Sequence, residues 1–117
     1  MRTAFLFLTV FCTATSAHAQ ELRCEILQKY VCEAAGCKSV PAKVWNLVDA
    51  AKRIYARCDS NGCDKYDAQF SVSGTFINID VLGRGLTAKV ATDGSSFHEV
   101  ATLTHVIYVS FGSCRRT

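Results

Sequence analysis

Seven cysteines in 117 residues constrain this chain more than any other feature. Four of them repeat one pattern, Cys-x-x-x-Gly-Cys: Cys32-Glu33-Ala34-Ala35-Gly36-Cys37 and Cys58-Asp59-Ser60-Asn61-Gly62-Cys63. A glycine before the second cysteine can take a positive φ, so the chain can reverse and bring two sulfurs within bonding reach. Each pair is therefore expected to staple its own turn, which leaves Cys24 to meet Cys114. That last bond would close the longest loop and remove about 4–5 kcal/mol of entropy from the unfolded chain. Crossed pairing between the turns, such as Cys32 with Cys58, is the competing arrangement.

The seventh cysteine, Cys12, falls in a segment that reads as an address. Arg2 precedes the apolar run Ala4–Cys12, and Ala17-His18-Ala19 places small residues where a signal peptidase requires them. Residues 1–19 are expected to be a signal peptide and residues 20–117 one disulfide-stapled β domain, too short to bury two cores. Cleavage makes the cysteine count even, as a disulfide framework in an oxidising compartment requires. Val10 and Phe11 are too large to precede a lipidated cysteine, so no membrane anchor is expected, and the location is periplasmic or secreted. Losing Arg2 from a formal net charge of +3 leaves two positive charges, too few for a nucleic-acid partner.

The second half of the chain alternates with period two. Tyr66, Ala68, Phe70 and Val72 alternate with Asp67, Gln69 and Ser71; Ile77, Ile79 and Val81 with Asn78 and Asp80; Leu86, Ala88 and Val90 with Thr87 and Lys89. Phe97–Leu103 and Val106–Phe111 complete five strands, the last apolar on both faces and so expected at the centre of a sheet. Ser73-Gly74, Gly83-Arg84-Gly85 and Asp93-Gly94-Ser95-Ser96 mark the turns. The fold class is mainly β, a small antiparallel barrel or sandwich built as a meander with three disulfides. In the first half, Cys24, Ile26, Tyr30 and Cys32 share a face in a strand reading. Residues 42–57 fit a helix through Val44, Leu47, Val48, Ala51 and Tyr55. They also fit a hairpin of two strands turning at Asp49–Lys52, and propensity does not decide, since Ala and Lys favour the helix while Val, Trp, Ile and Tyr favour strands.

Few residues offer chemistry. His98 and Glu99 are adjacent, so on a strand they face opposite ways and form no dyad. His105 precedes the last strand, and no nucleophile motif accompanies either histidine. The two Cys pairs have a spacing that zinc ligands use, but zinc would leave Cys24 and Cys114 unexplained, and there is no Cys-x-x-Cys for redox work. Asp59, Asn61, Asp64 and Asp67 hold oxygens that suit a cation, yet these are also the residues turns prefer. Trp45 is expected in the core. No cofactor, no metal and no enzymatic activity are expected.

Ser73-Gly74-Thr75-Phe76, with Cys24 and Cys114 near the ends, resembles the periplasmic inhibitors of c-type lysozyme from Gram-negative bacteria. Those carry a Ser-Gly-x-x-Tyr element on a small barrel and a disulfide between distant strands; here Ile77 stands at the Tyr position. More broadly the chain is similar to small Cys-rich periplasmic proteins. The resemblance implies a barrel, a hairpin at 42–58 and a non-enzymatic binding module, its partner a protein or envelope component. The residues themselves point to loops 73–75, 83–85 and 93–96, with Ser73, Gly74 and Arg84 as candidate contacts. A small periplasmic hydrolase or a ligand carrier with its site at the barrel mouth is the alternative.

Overall fold

The computed structural model describes residues 21–117, so the expected signal peptide lies outside the described residues. The first five strands are β1 (Leu22–Glu33), β2 (Gly36–Val40), β3 (Trp45–Asp49), β4 (Ile54–Asp59) and β5 (Gly62–Asp67). Next come β6 (Gln69–Ser73), β7 (Phe76–Val81), β8 (Leu86–Ala91), β9 (Phe97–Thr102) and β10 (Ile107–Arg116). Among the described residues there is no helix.

All neighbours pair antiparallel, in the order β5-β4-β3-β1-β10-β9-β8-β7-β6, with β2 alongside the far half of β1. The two strands at the ends of this path, β5 and β6, are consecutive in sequence and separated by Ala68 alone. The segment therefore changes partner partway, from β4 to β7, and the sheet is nearly closed into a barrel. Counting β5 and β6 as one bent stave gives an eight-staved wall, about the size at which side chains alone fill the interior. The expected continuous strand over 66–72 is thus interrupted at Ala68; Tyr66, Ala68 and Phe70 pack against the core as the alternation requires, whereas Val72 near the end of β6 is exposed.

Inward positions follow the pleat. Ile79, Ala88 and Val90 from β7 and β8 meet Phe97 from β9, and Val48 and Tyr55 come from the opposite wall. The segment 42–57 is the β3–β4 hairpin, not a helix, turning at residues 50–53. The helical face Val44, Leu47, Val48, Ala51, Tyr55 is not used: Val48 and Tyr55 are register partners in the core, whereas Leu47 pairs with Ala56 on the outer face.

Several outward or shifted residues correct the sequence reading. Cys24 and Ile26 pack inward, but Tyr30 and Cys32 do not share their face. The β1–β10 register slips between Ile26 and Gln28, so Leu27 is a bulged residue and every later side chain changes sides. Trp45 is half-buried on the outer surface, because its register partner is Cys58 while its neighbours Asn46 and Val48 point inward. The Arg23 guanidinium lies 4.5 Å from its ring centroid and covers it there. β10 does run between two strands, β1 and β9, but its outer positions Ile107 and Phe111 remain 41% and 48% exposed.

The disulfides are Cys24–Cys114, Cys32–Cys37 and Cys58–Cys63, and each joins residues directly opposite in a ladder, with Cα atoms 3.9–4.0 Å apart. In both short hairpins two residues make the turn and the glycine beyond it takes positive φ, +135° at Gly36 and +132° at Gly62. That conformation suits glycine and restores the ladder in time for the cysteines to face each other.

Candidate functional site

Alternation forces the two histidine-neighbourhood residues apart. On β9, Glu99 points inward and is 4% exposed, while His98 is half-buried on the outer wall. Each therefore belongs to a different polar setting.

The inner setting is closed. Asn46 Nδ2 donates to the Tyr55 hydroxyl at 2.8 Å and to Glu99 Oε2 at 3.2 Å, and the Tyr55 hydroxyl donates to the same carboxylate oxygen. Burial, and then the Glu99 carboxylate beside it, push the Tyr55 hydroxyl well above the usual phenol range. It stays a donor at any physiological pH. Ser110, also buried, is the register partner of both Glu99 and Lys29, which places an ammonium in the same row. Burial and the nearby Arg57 lower the Lys29 ammonium, with Glu99 opposing them. The cluster lies in the core with Phe97, Val48 and Cys24, all at or below 1% exposure, so it serves as a polar tie between β3, β4 and β9.

The outer setting is open. A groove of about 760 Å³ crosses the outer face of β6–β9. Twisted barrel walls are hyperboloid, so their outer surface is waisted along the barrel axis, and long side chains deepen it. Two cross-strand rows line it. One runs Ser71–Asn78–Lys89–His98, the other Gln69–Asp80–Thr87–Val100, each step a register pair. Arg53, the one non-glycine residue with positive φ among the described residues, enters from the β3–β4 turn. The groove thus holds the fixed cations Lys89 and Arg53, the acid Asp80, an imidazole, and a line of hydroxyls and amides on rigid strands. Alternation alone marks these side chains as the solvated face of a half-buried sheet; only the barrel's curvature gathers them into a groove.

The loop candidates do not converge. Ser73, Gly74 and Thr75 are exposed at one end, and Thr92 N–H donates to Thr75 O at 2.8 Å, joining that turn to the 92–96 loop. The 92–96 loop is itself folded down: Cys114 N–H donates to Gly94 O at 2.8 Å, and Ser95 N–H to Asp93 Oδ1 at 2.9 Å. The Ser95 hydrogen bonds hold the Asp93 carboxyl below its ordinary range. Gly83, Arg84 and Gly85 lie at the opposite end, where Thr102 N–H binds Gly85 O at 2.7 Å. The exposed Arg84 guanidinium sits 5.4 Å from the Tyr66 ring centroid. His105 is exposed ahead of β10. Asp59 accepts from Asn61 N–H at 2.8 Å, the turn role expected of such residues. Among the described residues no group of three or more His, Cys, Asp or Glu is placed to hold a metal ion. Neither protein-family models, nor curated proteins, nor solved structures provide a match to the chain.

Proposed function

We propose that this is an exported, non-enzymatic binding module that holds its partner on the outer wall of the barrel. The observation that carries the reading is the groove across β6–β9: preset donors and acceptors on paired strands, backed by an apolar core. Strands committed to a core on one face give up little entropy when the other face binds. The Val48, Tyr55, Ile79, Val90 and Phe97 side chains occupy the interior, which favours surface recognition over a carrier whose ligand would enter the barrel mouth. Three disulfides in so small a domain fit an oxidising compartment, hence the periplasm or the exterior.

The Ser73-Gly74 turn closes the same β6–β7 hairpin that supplies Ser71 and Asn78 to the groove. A partner lying in the groove therefore reaches that turn, whereas Arg84 at the opposite end stays apart from it. An inhibitor of c-type lysozyme is the targeted form of this proposal. Immobilised protein should retain a partner from envelope extracts, and Lys89→Glu should abolish retention while leaving Tm unchanged. Stoichiometric inhibition of a c-type lysozyme would identify that partner. Retention unaffected by Lys89→Glu, or catalytic turnover of extract components, would reject the reading.

A further inference from the structure

The two groove rows do not stop at β9. His98 pairs with Phe111 on β10, which pairs with Gln28 on β1; Val100 pairs with Val109, which pairs with Tyr30. The outer face therefore carries one continuous strip over six strands, about 24 Å measured around the curved wall at the usual spacing between strands. Its β6–β9 part sets the polar side chains of the two rows among the apolar Phe70, Ala88 and Val100, and its β10–β1 part is aromatic. Phe111 is 48% exposed, and Tyr30 stands edge-on to it with ring centroids 6.4 Å apart. The Tyr30 hydroxyl donates to Gln28 Oε1 at 2.9 Å, which leaves an amide at the rim of the aromatic platform.

We infer that this strip binds an acidic oligosaccharide, one whose sugar rings carry carboxylates. The inference rests on the groove being the binding surface and adds the chemical class of what it holds. Three features select this ligand. Ser71, Asn78, Thr87 and Gln69 present hydroxyls and amides, each able to donate and accept, which matches sugar hydroxyls that do both. Phe111 offers an apolar ring to the C–H face of a pyranose, removing both from water. Lys89 and Arg53 against Asp80 give a small positive excess, enough to pair with carboxylates spaced along a chain. A polyphosphate backbone would call for a denser array of cations.

The test is calorimetric titration of the disulfide-bonded protein with two probes, a hexamer of galacturonic acid and a neutral hexamer of N-acetylglucosamine. The acidic hexamer should bind at least tenfold more tightly than the neutral one. Lys89→Gln changes an exposed side chain and should keep the native Tm; Phe111→Ala removes a half-buried ring and its contact with Tyr30, so it should lower Tm modestly yet stay folded at the titration temperature, and each should weaken the acidic hexamer about tenfold. No binding of the acidic hexamer, equal affinity for the neutral one, or unchanged affinity in both variants would overturn the assignment. If the sugar fails while Lys89→Glu still abolishes capture of a partner from extracts, the ligand class is wrong and the groove remains the binding surface. If neither depends on the groove, both readings fall.

Discussion

Glu99 shows how one side chain can tie a barrel together. It comes from β9, and its carboxylate accepts hydrogen bonds from Asn46 on β3 and Tyr55 on β4, strands on the far wall. A buried carboxylate without such donors would be costly, so the three residues stand or fall together. Tyr55→Phe keeps the ring and removes one donor, and should cost about 1–3 kcal/mol in urea unfolding. The same variant isolates a pH effect. The Tyr55 phenol is raised above its ordinary value of 10.0, so the unfolded chain loses this proton first as pH rises. Its contribution is complete below about pH 10 and declines progressively above it, towards the higher pKa of the folded state. Wild-type stability should therefore fall more steeply between pH 10 and 11 than that of Tyr55→Phe; parallel profiles would contradict the shift.

At the scale of elements, the bulge at Leu27 and the glycine opposite it belong together. Gly112 pairs with Ile26 at the edge of the bulge, and a Cβ there would collide with the Glu25 carbonyl oxygen. Neither backbone can yield without opening the β1–β10 ladder, so Gly112→Ala should cost about 3 kcal/mol or more, seen as a lowered Tm. Nothing in the sequence marks that bulge. One inserted residue changes the phase of a strand without changing its composition, and so Tyr30 and Cys32 are read on the wrong face. The strands from Gln69 onward are legible because Ile77–Val81 and Leu86–Val90 alternate without interruption and have turn residues at their ends. Residues 42–57 are not, because Val44, Leu47, Val48 and Tyr55 fall at helical spacing while Val, Trp, Ile and Tyr favour strands, and pairing with β1 favours the hairpin. The cysteine turns are legible for a stereochemical reason: Gly36 and Gly62 take the positive φ that their position before cysteine invites.

At the scale of the molecule, closure joins segments far apart in sequence. Cys24–Cys114 spans 90 residues and clamps β1 to β10, whereas each hairpin bridge spans five. Loop entropy then orders their value at about 4–5 kcal/mol against about 2 kcal/mol. Replacing Cys24 and Cys114 together with Ala should lower the urea midpoint more than removing either hairpin pair; the reverse order would show that the hairpin bridges govern stability. The groove also belongs to this scale. Lys89, His98 and Asn78 are legible only as a solvated face, and they become a site because the wall curves and the β3–β4 turn brings in Arg53. The claim that this outer wall is where the protein acts is tested most directly by mapping backbone amide shifts of 15N-labelled protein as a captured partner is added. Perturbation should centre on Asn78, Lys89 and His98 and spread to Phe111, with the interior around Glu99 unmoved. Perturbation confined to the Arg84 end, or to the two cysteine hairpin tips, would contradict it.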